Sequence, residues 1–134
     1  MKLHTQLTAG LNTINAYDEG SIAVNGQTLH SSCIVTPDKL LAPWAPSNID
    51  SLTAADVLQL VEVGCPLVLL GTGKRQKFPP TALLRPLIER QIGVEIMDSG
   101  AACRTYNILV AEGRLVAAAI MLEQGPHAES RHTP

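Results

Sequence analysis

Two short segments hold the residue types that anion recognition or covalent catalysis would use. They are Gly71-Thr72-Gly73-Lys74-Arg75-Gln76-Lys77 and Asp98-Ser99-Gly100-Ala101-Ala102-Cys103-Arg104, with Asn107 three residues further on. In the first, glycines leave backbone N–H groups free to face an anion, and three cations stand within four residues. The standard phosphate motifs do not fit. A Walker loop needs a glycine ahead of its Gly-Lys pair and a Ser or Thr after the lysine, where Val68 and Arg75 stand. A dinucleotide fingerprint needs a third glycine at Gln76 opening directly into a helix, but Phe78-Pro79-Pro80 intervenes. The plainer alternative is a tight exit from a buried strand, with the cations solvated.

In the second segment Asp98 or Ser99 can cap a helix, and Arg104 and Asn107 share one face of it. Arg104 either pairs with Asp98 or Glu95 or holds an anionic ligand. Cys103 lies close enough to a helix N-terminus for a lowered thiol pKa, but no histidine is placed as its base: His30 falls in a strand, and His4, His127 and His132 lie near the ends. Ser99 lacks the Gly-x-Ser-x-Gly surroundings of a nucleophile elbow. No His or Cys cluster has metal-ligand spacing. The expectation is therefore no catalytic residue, no metal and no cofactor. The candidate ligand set is Gly71, Thr72, Gly73, Asp98, Arg104 and Asn107 around one pocket.

The elements that would position these groups follow from pattern and punctuation. Ile14 to Tyr17 and Ser21 to Val24 read as strands, Asn25-Gly26 as a hairpin turn, and Gln27 to Val35 as the returning strand. Leu40 to Asp50, with Pro43, Trp44 and Pro46, is too proline-rich for a helix and is read as draped over the core. From Ser51 helix and strand alternate. Thr53 and Asp56 form a capping box before the stripe Val57, Leu58, Leu60, Val61, which Gly64 ends. Pro66 to Leu70 is an unbroken apolar run, the mark of a strand covered on both faces. Pro79-Pro80 opens a second helical segment with Leu83, Leu84, Leu87 and Ile88 inward, which Pro86 should kink or split. Val94 to Met97 is a strand, a helix follows from about Gly100 to Glu112, and Leu115 to Leu122 is a final alanine-rich strand. In an open α/β sheet, ligands bind beyond the carboxyl ends of the parallel strands, which is where both chemical segments fall.

The chain has 134 residues, 46% hydrophobic but only four aromatics and 16% charged, against a usual charged share of about 25%. One aliphatic domain over residues 1–122 follows, with 123–134 a polar tail read as disordered. A net charge of −2 offers no long-range field for phosphate backbones, and the aromatics are too scattered to stack bases, so nucleic acid is not an expected partner. The most apolar stretch, Val63 to Gly73, is broken by Gly64 and Pro66 and falls short of the roughly 20 residues of a membrane span. No apolar region follows Met1 to Leu7 as in a signal peptide. Cys33, Cys65 and Cys103 are odd in number and read as buried free thiols, which suits a reducing cytoplasm. Nothing in the sequence signals an oligomeric state.

Four blocks in order carry a likeness. They are Leu69-Leu70-Gly71-Thr72-Gly73, Gly93-Val94-Glu95-Ile96-Met97-Asp98, Ala102-Cys103-Arg104-Thr105-Tyr106-Asn107, and Glu112-Gly113-Arg114 before the alanine-rich strand, with Gly20, Pro37 and Trp44 also matching. From about Tyr17 to Leu122 the chain resembles the uncharacterised domain family that includes the mitochondrial complex I assembly factor three and the adipogenesis-associated domain proteins. Ser99 stands where relatives usually carry threonine, an exchange a cap tolerates. The resemblance implies a three-layer α/β domain with a central mixed sheet and one antiparallel strand, and with the alternating helices and strands the expected fold is a mixed, mostly parallel sheet with helices packed on it, joined to the N-terminal β-hairpin region. It implies no established enzymatic activity and relatives that bind other proteins. No mitochondrial presequence is recognisable, which favours a bacterial cytoplasmic protein.

The expected function is a non-enzymatic interaction or assembly factor, related by extrapolation to respiratory complexes. Its contact surface is expected to be the sheet edge or the Leu40 to Asp50 segment with Trp44, read as exposed there. The alternative is a small-molecule or anion-binding protein, or an enzyme, using the six-residue pocket.

Overall fold

The computed structural model describes residues 10–123; of the tail expected over 123–134, only Glu123 lies within them. Its strands are β1 (Ile14–Asp18), β2 (Ser21–Val24), β3 (Gln27–Leu29), β4 (Cys33–Val35), β5 (Leu40–Leu41), β6 (Leu67–Gly71), β7 (Gly93–Met97) and β8 (Ala117–Ile120). Its helices are α1 (Ala54–Glu62), α2 (Thr81–Glu89) and α3 (Ser99–Ala111), with a 3-10 turn at Ile49–Ser51. One sheet has the order β1-β2-β3 and the other β5-β4-β8-β6-β7.

Local chemistry explains most boundaries. Asn25 and Gly26 take φ of 52° and 83°, the left-handed pair a two-residue hairpin turn needs. The Thr53 hydroxyl accepts the Asp56 N–H, and the Asp56 carboxylate accepts the Thr53 N–H, so the capping box opens α1. Asp98, rather than Ser99, caps α3 by accepting the Ala101 N–H. Pro86 lies inside α2 without splitting it. The proline withholds the N–H that would bond Ala82, whose exposed position leaves that carbonyl to water.

The five-stranded sheet carries a core on each face. Val68, Leu70, Ala117 and Ala119 pack with Val57 and Leu60 of α1 and Leu84 and Leu87 of α2. Leu69, Ala118 and Ile120 pack with Ala102, Cys103, Tyr106 and Val110 of α3 and with Ile14, Ile22 and Val24 of the hairpin. This alternation is the period of two expected of strands, and the small residues of the central strand β8 let both flanking layers approach closely. The three layers are as the sequence implies.

Ile88, expected to face inward, and Leu58 of the α1 stripe are exposed, because they lie on the outer side of helices whose other face packs on the sheet. Three larger expectations change. In the five-stranded sheet β4 alone runs against the other four strands, in agreement with the resemblance, but parallel pairing is confined to β8-β6-β7. Within this sheet two pairs are antiparallel and two parallel, and over both sheets antiparallel pairs outnumber parallel ones four to two, so the pairing is mixed rather than mostly parallel. The reason lies in the second correction. Gln27 to Val35 is not one strand: the chain leaves the first sheet at Leu29 and enters the second at Cys33. Buried Ser32 fixes the crossing, its hydroxyl accepting the Leu122 N–H at 2.9 Å and its carbonyl the Trp44 N–H at 2.8 Å.

The third correction concerns Trp44. It is 2% exposed and belongs to the core on the α1–α2 side, beside Ile34, Ile49 and Leu52. Polar prolyl surroundings in sequence suggested exposure, but an indole covers too much apolar area to stay in water when a core wall is within reach. Its Nε1 is, among the described residues, the one buried side-chain polar atom without a hydrogen-bond partner. Trp44 therefore offers no surface to a partner.

Candidate functional site

The structure divides the six candidate residues into two groups. Gly71, Thr72 and Gly73 leave β6 into a buried junction with α3, where the protein's own groups occupy the backbone. Ser99, fully buried, is its centre: the hydroxyl accepts the Gly73 N–H and donates to the Met121 carbonyl, both at 2.8 Å. The Ser99 N–H bonds the Gly73 carbonyl at 2.8 Å, and the Thr72 N–H bonds the Met97 carbonyl at 2.9 Å. Gly71 is required by close approach, because a Cβ there would lie 2.9 Å from the Ser99 Cα and 3.1 Å from the Ala102 Cβ. Gly73 has φ +96°, a conformation that favours glycine, and lies against the Glu123 side chain, whose carboxylate accepts the Lys74 N–H at 3.1 Å. The glycines thus serve helix–strand packing and a turn, with a carboxylate of the same chain already seated at the loop.

The second group lies at a cavity of about 290 Å³ between β1 and the first turns of α3. Arg104, Asn107, Gly100 and Cys103 line it from the helix, and Ile14, Asn15, Ala16 and Tyr17 from the strand. The pairing of β1 with β2 shifts register between Ile14 and Ala16, which leaves Asn15 as an extra residue at the cavity wall. Asn107 ties the walls together. Its side-chain carbonyl accepts the Ile14 N–H at 2.9 Å and its amide donates to the Ile14 carbonyl at 2.6 Å, so it replaces a missing strand partner. The neighbouring Tyr106 hydroxyl donates to the Asn12 carbonyl at 2.9 Å and secures the same join. Asp98 stands at the helix start beneath Gly100, outside the cavity lining.

Arg104 is exposed and is not locked on Glu95 or Asp98; among the described residues the one ion pair is Lys74–Glu19 at 3.5 Å. Its guanidinium lies close over Gly100, where an added Cβ would meet Nη1 at 3.4 Å. Burial pushes the Tyr17 phenol up, against the Ser99 hydroxyl that pulls it down. Burial likewise holds the Cys103 thiol up to about 12, with Cys33 adding to the rise and Arg104 opposing it. A thiol so raised is protonated at neutral pH and is not the thiolate that nucleophilic catalysis needs.

The same shifts set an alkaline limit on stability. Cys33 and Cys103 both rise from 9.0 to about 12 on folding, so both states hold the proton below about pH 9 and only the unfolded chain releases it above. The contribution of these two thiols to stability should therefore be level with pH up to about 9 and be lost progressively towards 12. Urea midpoints of the wild type and the Cys33→Ala, Cys103→Ala double variant should converge as pH rises through that window. Equal loss of stability in both chains would refute this.

Sequence reasoning missed the β1 wall, since Asn15 and Tyr17 carry no motif, and it read Ser99 as a cap rather than a hub. A two-wall site of this kind leaves no local signal; only the matching of Tyr17 at the start of the family likeness pointed there.

Among the described residues no helix is long and apolar enough to cross a membrane. Comparisons with known proteins agree on one relationship. The zebrafish protein named NADH dehydrogenase [ubiquinone] 1 alpha subcomplex assembly factor 3 is 34% identical over 109 residues, covering 81% of this chain and 63% of that protein. The human protein of the same name is 28% identical, covering 84% and 61%. The chain thus spans about six-tenths of the length of these curated relatives. Among solved structures, a Bordetella parapertussis protein superposes with a TM-score of 0.79 at 37% identity, covering 85% of this chain and 98% of that one. A Bordetella pertussis protein described as a Mth938-like domain gives 0.77 at 32%, covering 93% and 94%. Residues 14–121, which contain both walls of the cavity and the Ser99 junction, match the family described as "Protein of unknown function (DUF498/DUF598)", and to that family this chain belongs.

Proposed function

We propose that this chain is a non-enzymatic protein-interaction factor of the assembly type, and that Arg104 receives a partner's carboxylate at the β1–α3 cavity. The observation that carries the reading is the exposed Arg104 guanidinium, without an acidic partner among the described residues, over a cavity whose walls are held rigid by Asn107. An arginine fork matches a carboxylate bidentately and is enriched at the centres of interfaces. Relatives named as complex I assembly factors support protein partners, and a role in assembling a respiratory complex is the extension of that likeness. In this reading Asn107 holds β1 against α3, Asp98 caps the helix that carries Arg104, and Gly71, Thr72 and Gly73 seat that helix on the sheet. Three buried free thiols suit a reducing cytoplasm.

A second reading is favoured by the volume of the cavity, near the lower end of small-molecule pockets: a small organic anion as ligand, with the same Arg104. A photoreactive residue at position 16 separates the two. In the first reading it cross-links a polypeptide, and Arg104→Glu lowers the yield about tenfold or more, as expected when one partner of a charged contact is reversed. A yield unchanged by Arg104→Glu sinks the first reading, and saturable shifts of the Gly100 and Arg104 amides on titration with citrate, without any polypeptide adduct, establish the second.

A further inference from the structure

We propose that the loop from Lys74 to Phe78, joining β6 to α2, is a docking element for an anionic lipid surface. Its five residues are all exposed, and Phe78, 69% exposed, is the barest large apolar side chain among the described residues. Three of its neighbours, Lys74, Arg75 and Lys77, are cations.

This tip is built rather than loose. The buried Thr72 hydroxyl donates to the Arg75 carbonyl at 2.6 Å and accepts the Lys77 N–H at 3.0 Å. The Gln76 amide donates to the Ile96 carbonyl of β7 at 2.8 Å. These bonds draw the backbone and Gln76 inwards and leave the cations and the ring as the outward groups, so little ordering remains to be done on docking. Beside the ring opens a groove of about 600 Å³ with a mixed lining, walled by Phe78, Pro79, Pro80 and Leu83 against Ile49 and Leu52, with Asp50 its one charged residue.

Charge complementarity identifies the occupant. Residues 74–90 hold five of the ten Lys and Arg of the chain and one acid, Glu89, although the whole chain carries −2. Three further acids approach the loop, Glu19 at 3.5 Å from the Lys74 ammonium, Glu123 on the Lys74 N–H, and Asp50 in the groove beside Phe78. Arg75 and Lys77 have no ion pair among the described residues. Gln76 also caps part of the β7 edge, so the loop offers no strand for a polypeptide to pair with. It offers an undirected combination of cations and an apolar wedge, which is what an anionic bilayer interface accepts.

Co-sedimentation of the full chain with phosphatidylglycerol–phosphatidylcholine vesicles, against phosphatidylcholine alone, tests this. The chain should partition onto the mixed vesicles only, and less as salt rises. Arg75→Ala and Lys77→Ala should each lower the partition about fivefold, and Phe78→Ser about tenfold. Arg114→Ala, the same change in net charge after α3, should leave it unaltered. All four positions are exposed, and circular dichroism checks that the variants stay folded. Failure of the wild type to prefer the mixed vesicles, or a preference indifferent to Arg75, Lys77 and Phe78, overturns the proposal. So does loop-dependent capture of polyglutamate without vesicle binding, which assigns the loop to an acidic polypeptide instead.

Discussion

Gly71→Ala is expected to destabilise the protein by about 3 kcal/mol, lowering the melting temperature by roughly 10 °C for a chain of this size. A Cβ at this position would meet the Ser99 Cα at 2.9 Å, the Ser99 Oγ at 3.0 Å and the Ala102 Cβ at 3.1 Å. Two of these are backbone or Cβ atoms of a helix that cannot swing aside as a flexible side chain could. The strain can be relieved only by moving the start of α3, and that start is tied to Gly73 and Met121 through the buried Ser99 hydroxyl. Thermal melts of Gly71→Ala against Gly113→Ala, where an added Cβ meets nothing within 4 Å, separate the steric term from backbone strain. Gly113 has φ +84°, so its alanine variant carries strain that Gly71→Ala does not. A melting temperature for Gly71→Ala within a degree or two of the wild type would show that the junction yields freely, contrary to its hydrogen-bond pattern.

Asn107→Ala is expected to cost about 2–4 kcal/mol, since it orphans both the N–H and the carbonyl of Ile14 in a part-buried setting. Its signature is local. Protection of the Ile14 amide from hydrogen exchange should collapse even where the β6 and β8 amides remain protected, because β1 loses its attachment to α3. Asn107→Asp adds a test of direction. An ionised carboxylate can still accept the Ile14 N–H but sets a negative oxygen against the Ile14 carbonyl, 2.6 Å from the present amide nitrogen. The aspartate variant should thus be destabilised at neutral pH and recover as the carboxyl takes up a proton in acid and donates again. Denaturant midpoints across that acid range would decide it, and Ile14 protection unchanged in the alanine variant would remove Asn107 from its assigned role. Because the cavity needs both walls, the same variant should also abolish the Arg104-dependent cross-link.

Much of the scaffold was legible because its signals are local. The Thr53–Asp56 box, the Asn25-Gly26 turn, the Asp98 cap and the unbroken Pro66 to Leu70 run each act within a few residues, where side-chain reach and backbone preference suffice. The candidate site was legible only in part. Arg104 and Asn107 follow from helical spacing, but the second wall of their cavity comes from residues 93 positions away, joined by the Asn107–Ile14 bonds. Glycines in Gly71-Thr72-Gly73 look alike whether they admit an anion or a helix, and only the distance to Ser99 distinguishes the two.

Trp44 marks the same boundary from the other side. Proline neighbours describe the backbone around an indole and say nothing about whether a core face lies opposite it. By itself, then, the sequence determined most of the elements, the Thr53–Asp56 cap, the aliphatic three-layer core and the kinship of the chain. Tertiary structure decided which sheet each N-terminal strand joins, that Trp44 is core, and that Arg104 faces a β1 cavity while the glycine loop is filled. The division is physical: caps, turns and periodicity are settled by interactions between near neighbours, whereas sheet partnership, burial and cavities depend on contacts that exist only once distant segments have packed.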